Sequence, residues 1–263
     1  VAISWGDYFT TLVRGLGIDL PVWLTTGYRT ALLSADPKIH GLLDSAPRLF
    51  GMPVLVHLPA FAIVAAVTWL LLRGARESAT ANNVMVLVKL LALGLFIAVG
   101  ATHLNGANYH PFAPNGFTGV HQGAAIVFFA YIGFDAVSTA SEEAKNPKRD
   151  IPVGILGSLV ICTLVYIAVA AVLTGMVPYR EIAVDAPVVD AFRRQGLTAA
   201  QYLIAAGALT GITSVLLVMM LSQPRVLLAM ARDGLLPQGF FGDVHERFRT
   251  PWKSTIQIGR AHV

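Results

Sequence analysis

Apolar and polar positions along the 263-residue chain fall into long blocks, not into the short alternations of a soluble domain. Residues 1–14 make a first apolar block that reads as the second half of a membrane helix. A polar connection from Gly15 to Gly51 follows, punctuated by Pro21, Pro37 and Pro47. Met52–Leu72 is apolar and is closed by Arg73, Arg76 and Glu77. Ala81–His103 is apolar apart from Lys89, and the loop Leu104–Thr118 after it holds neither lysine nor arginine. Gly119–Ala140 is the next block, followed at once by the charged run Ser141–Asp150. Val153–Met176 carries no acid, base or proline, whereas residues 178–196 are polar with mixed charge. Ala199–Met230 closes the series, rich in small residues in its first half, and a basic, polar stretch leads to Ser254. Blocks of about 20 apolar residues match the thickness of a bilayer core. The pattern predicts membrane helices over 52–72, 81–103, 119–140, 153–176 and 199–230. It also predicts one amphipathic helix along the interface over 178–196 and a further span from Ser254.

Composition agrees with the pattern. Hydrophobic residues make up 55% of the chain, charged residues 13%, and the mean hydropathy is +0.65. A soluble domain carries about 25% charged residues. The net charge of +4 does not point to nucleic acid, because the basic residues sit in loops between apolar blocks. Cys162 is the single cysteine and lies in an apolar block, which leaves no intrachain disulfide or cysteine metal cluster. Short loops decide orientation in the charge-bias rule. Lys145, Lys148 and Arg149 follow the 119–140 block and none precedes it, so the Ser141–Pro152 loop is expected on the cytoplasmic side.

The chemistry-bearing residues are few. No His-Glu-x-x-His, nucleophile elbow or phosphate loop occurs, and Gly15-x-Gly17 lacks the third glycine of a dinucleotide fingerprint. No metal or cofactor is implied. Gly133 and Asp135 stand out within the 119–140 block. Glycine lets a helix open, an opened turn frees carbonyls for a cation or an ammonium group, and a carboxylate at that depth needs a partner or a task. The plainer reading is a packing glycine beside an acid near the surface. Lys89 lies one third of the way into its block. It either snorkels to the interface or serves as a desolvated amine able to release a proton. Thr213 and Ser214 are membrane hydroxyls, which commonly bond back to their own backbone.

Four stretches carry a family resemblance: Asn82–Lys89, Phe128–Arg149 with Pro152, Thr210–Met219 and Met230–Pro237. Together they resemble the bacterial cationic amino acid transporters of the amino acid–polyamine–organocation superfamily. The resemblance implies an all-α integral membrane protein, part of a LeuT-type inverted repeat of five plus five helices. It would run from the end of the third helix through the eighth to the threshold of the ninth. It implies a secondary active amino acid permease of the plasma membrane, working by proton symport. Its partners are then an amino acid, a proton and the lipid bilayer. The carbonyls of Phe129, Ala130 and Ile132, freed by the break near Gly133, would accept the substrate ammonium, and Met219 would floor the side-chain pocket. Lys89 would occupy a site that sodium fills in related transporters, with Thr213 and Ser214 as its neighbours on the eighth helix. Asp135 would pair with a cation in the bundle or line the inner exit path. The alternative is another integral membrane protein, a channel or a membrane enzyme, with a buried polar site. Residues 1–257 are expected to be a partial transporter domain from the interior of a longer protein. Residues 258–263 resemble a translated sequencing adapter and are expected to be a non-native tail.

Overall fold

The structure, a computed structural model, describes residues 1–33, 41–49, 52–73, 75–131, 133, 144, 146–183, 186–246 and 250–261. Ile132 and Asp135 lie outside the described residues. The architecture is helical and built for a membrane. Its main elements are α1 (Ala2–Gly15), α2 (Leu58–Arg73), α3 (Ala75–Gly100), α4 (Gly116–Phe128), α5 (Pro147–Met176), α6 (Pro187–Arg194), α7 (Thr198–Arg232) and α8 (Trp252–Ala261). Among the described residues, three segments are long and apolar enough to cross a membrane, namely Thr80–His103, Pro147–Met176 and Thr198–Arg232, and Leu58–Leu72 is a shorter apolar helix. Short helical turns over Val22–Thr25, Tyr28–Leu33 and Leu42–Ser45 fill the long connection. A two-residue antiparallel ladder follows, pairing Arg48 with Pro53 and Leu49 with Met52.

Helix starts depart from the sequence reading for local reasons. Helix α2 begins at Leu58, not Met52. Pro59 is tolerated only within a first turn, and the His57 ring accepts the Ala60 N–H at 3.4 Å and so caps that turn. The same ring reaches Asp7 of α1, with Nε2 3.5 Å from Oδ1. Helix α5 starts six residues earlier than the expected Val153, taking in part of the charged run. Pro147 occupies the first turn, where its missing N–H costs nothing, and Asp150 Oδ2 accepts the Asn146 N–H at 3.2 Å.

The segment 178–196 is not one interfacial helix. It is a tight turn over Tyr179–Glu181 followed by the eight residues of α6. The apolar side of α6 is docked into protein. Phe192 is fully buried against Phe96 of α3, ring centroids 5.4 Å apart, in a core shared with Val172, Met176, Ile204 and Ala205. Asp190 is buried at this seam and bonded to Arg193 and, at 2.8 Å, to Arg194 Nε. Arg194 continues to Glu181 Oε2 at 2.9 Å. Burial pushes the Asp190 carboxyl up, but bonds and charge from Arg194 and Arg193 more than offset it and leave it below the usual carboxylate value.

Helices α3 and α7 form the principal seam, antiparallel and lined with small residues. The order along it is Asn82 with Ser214, Lys89 with Gly211, and Ala92 with Gly207. A methyl group on Gly207 would overlap the Ala92 methyl, so this crossing exists only because position 207 has no side chain. A second core joins Val64, Val67 and Leu71 of α2 to Leu217 and Met220 of α7. Helix α8 runs to Ala261 without a break at residue 258, with Ile258 buried.

Candidate functional site

The site is built where α4 stops. Helical bonding ends at Phe128, Phe129–Tyr131 form a tighter turn, and Gly133 follows at φ +122°. An L-residue avoids that backbone conformation, so the glycine is what allows the chain to leave the helix here. A helix end leaves carbonyls without intrahelical partners. Helix α5 supports the turn through two tyrosines. Tyr166 Oη donates to the Ala130 carbonyl at 3.3 Å. Thr163 donates its own proton to the Leu159 carbonyl, so the 2.9 Å contact with Tyr131 is a bond donated by the Tyr131 hydroxyl. The two phenol rings meet edge to face with centroids 5.4 Å apart. The rings of Phe128 and Phe129 are exposed and in contact with each other.

Met219 of α7 closes on the same break. A Cβ built on Gly133 would stand 3.7 Å from Met219 Cε, an ordinary van der Waals contact. Gly133, Ala130 and Met219 are thus brought to one place, together with Tyr131 and Tyr166.

The lysine lies elsewhere along α7. The half-buried Lys89 lays its stem over Gly211, whose added Cβ would meet Lys89 Cβ at 3.5 Å and Cδ at 3.6 Å. The two hydroxyls that follow are engaged with other helices. Thr213 Oγ1 donates to the Leu209 carbonyl at 2.7 Å and accepts the indole N–H of Trp5 of α1 at 2.8 Å. Ser214, buried, donates to Asn82 Oδ1 at 2.7 Å. Adjacent residues therefore tie α7 to α1 on one side and to α3 on the other.

Four residues of this arrangement were not singled out in the sequence: Trp5, Asn82, Thr163 and Tyr166. The spacing of Thr163 and Tyr166, three apart in the uncharged part of α5, is a signal of one polar face. Asn82 lies seven residues, about two turns, before Lys89. Nothing local marks Trp5. Among the described residues no group of three or more His, Cys, Asp or Glu side chains could hold a metal ion.

Comparison with known proteins gives a consistent picture. Residues 11–259 match the family described as amino acid permease. The chain is 44% identical over 260 residues to a branched-chain amino acid permease of Bacillus subtilis, covering 98% of this chain and 52% of that protein. It is 43% identical over 259 residues to a methylthioribose transporter of the same organism, again covering 98% and 52%. Cationic amino acid transporter 9 of Arabidopsis thaliana, a chloroplastic form, is 43% identical over 222 residues, 83% of this chain and 39% of that protein. The chain spans about half the length of the bacterial relatives it matches.

Proposed function

The chain belongs to the amino acid permease family, and on that premise we propose that it forms part of a secondary active transporter carrying amino acids in symport with protons. The observation that carries this reading is the break at Gly133, a left-handed glycine after a tight turn with Met219 against it. In lipid, non-helical backbone survives only where it is buried in protein or lines a cavity. Carbonyl dipoles at such a break suit an ammonium group. In this reading the carbonyls of Phe129, Ala130 and Ile132 accept the substrate ammonium and Met219 floors the side-chain pocket. Tyr166 does not compete for the site, because a carbonyl oxygen has two lone pairs. The phenol takes one and steadies the turn; the other faces the substrate. Asp135 pairs with a cation in the bundle or lines the exit path. Neutral, apolar Met219 favours small neutral amino acids such as alanine.

Lys89 is the proton-linked group, with Thr213 and Ser214 as its neighbours on α7. A change of charge at the α3–α7 seam biases two packed arrangements against each other, which is what alternating access requires. Residues 1–257 then belong to a LeuT-type repeat of a cell-membrane permease. A second reading is favoured by the methylthioribose transporter at 43% identity, because that solute has neither ammonium nor carboxylate.

The test uses the full-length protein in liposomes with an inward proton gradient, offered labelled alanine, leucine, lysine and methylthioribose. Accumulation of an amino acid that collapses with a protonophore and is lost in Lys89→Ala supports the proposal. Strict sodium dependence, or undiminished proton-driven uptake by Lys89→Ala, ends the coupling role. Accumulation of methylthioribose alone selects the second reading, and equilibration without accumulation selects a channel.

A further inference from the structure

Around Lys89 the α3–α7 seam is lined by small residues. Under the lysine is a glycine, and beyond it Gly207 faces the methyl of Ala92. Such a seam packs closely, with the Ala92 methyl seated in the notch at Gly207, but these apolar contacts carry little direction of their own. The side-chain bond between Ser214 and Asn82 is different in kind. It is directional, 2.7 Å long and joins residues 132 apart in sequence, with Ser214 buried. A slip of α3 along α7 by one helical turn, about 5.4 Å, carries such a pair well beyond hydrogen-bonding distance, about 3.5 Å. A single polar pair in an apolar helix seam is the best attested device for fixing register.

We propose that Asn82 is a positioning residue for Lys89: its bond to Ser214 sets the register of α3 along α7 and so keeps the lysine stem over Gly211. Asn82 and Lys89 are seven residues apart on one helix, so they lie on one face and any slip of the first displaces the second. The glycine matters to the arrangement. Over Gly211 the stem lies flat against backbone, whereas a slip of one turn in one direction would place the branched side chain of Val215, the next residue on that face, beneath it. The proposal rests on the coupling role of Lys89 described above. It assigns Asn82 no contact with substrate or proton.

The experiment compares Asn82→Leu, Ser214→Ala and the double variant with the wild type, each as the full-length protein in liposomes. Two quantities are read with labelled alanine, or leucine if the wild type prefers it. One is accumulation driven by a proton gradient across a range of pH; the other is counterflow exchange, which needs no net proton movement. Both single variants should retain counterflow while gradient-driven accumulation falls about two- to tenfold with an altered pH profile. The double variant should be no worse than either single, since both remove one bond. Ser214→Ala deletes a single oxygen and guards against a folding artefact. Asn82→Asp keeps the acceptor and should recover most of the accumulation. Wild-type accumulation at every pH in the single variants overturns the proposal. So does an equal loss of counterflow and accumulation with an unchanged pH profile, because that is what a merely structural contact gives. Failure of the wild type itself to couple to protons would overturn the Lys89 reading and this proposal with it, and is told apart by which protein fails.

Discussion

The Cε of Met219 lies 3.7 Å from where a side chain on Gly133 would begin. The residue that opens one helix and the residue that fills the opening come from segments 86 positions apart. Two substitutions separate their roles. Gly133→Ala should abolish transport through the backbone, since φ +122° costs a residue with Cβ about 1–3 kcal/mol, while the added methyl itself fits. Met219→Ser should leave alanine uptake intact and admit longer amino acids. A substrate range unchanged with side-chain length would remove Met219 from the pocket.

Gly207 and Gly211 form a Gly-x-x-x-Gly pair, yet they should respond oppositely to alanine. Gly207→Ala drives a methyl into Ala92, and overpacking of this kind costs about 1–3 kcal/mol. Gly211→Ala adds a methyl at ordinary contact distance from Lys89 and gains up to about 1 kcal/mol of helix propensity. Thermal stability in detergent, followed by size-exclusion chromatography of heated samples, should fall for the first and hold or rise for the second.

Acid should loosen the seat of α6. The Asp190 carboxyl binds its proton more weakly folded than unfolded, so its stabilising effect is fully present above the unfolded value of about 3.9. It is lost as pH falls through the lower folded value. Asp190→Asn should therefore lower the melting temperature at neutral pH and flatten its decline below about pH 5. Parallel acid limbs in the variant and the wild type would refute the link.

Topology can be read with thiol labels in a Cys162→Ala background. Phe112 is 89% exposed in the loop before α4 and Lys148 is exposed at the start of α5. An impermeant reagent on intact cells should label Phe112→Cys and spare Lys148→Cys. The reverse pattern would invert the charge-bias orientation.

The apolar blocks showed where the long helices run because burial in lipid acts on each segment by itself. Gly133 was legible for the same reason, being a backbone requirement carried by one residue. What the sequence did not reveal depends on partners far along the chain. Thr213 is held by Trp5 from 208 positions away and Ser214 by Asn82 from 132, and no local pattern encodes either pairing. The start of α5 was missed because the charged run before Val153 reads as loop, whereas Pro147 in the first turn and the Asn146 N–H bonded to Asp150 start the helix inside that run. Helix α6 looked interfacial because its charges balance its apolar residues. Phe96, which turns that apolar side into core, lies nearly a hundred residues earlier.

The two ties on α7 also determine which motions are open to it. Consecutive residues on a helix point about 100° apart, so Thr213 and Ser214 act on the rod like two spokes braced against different walls. Spinning α7 about its own axis would carry both hydroxyls sideways off their partners at once. Tipping the rod about a point near residues 213 and 214 disturbs neither bond appreciably. Of these two motions the pair of bonds opposes the spin and leaves rocking about that point unopposed, and Gly211 under the lysine and Met219 at the break lie on either side of it.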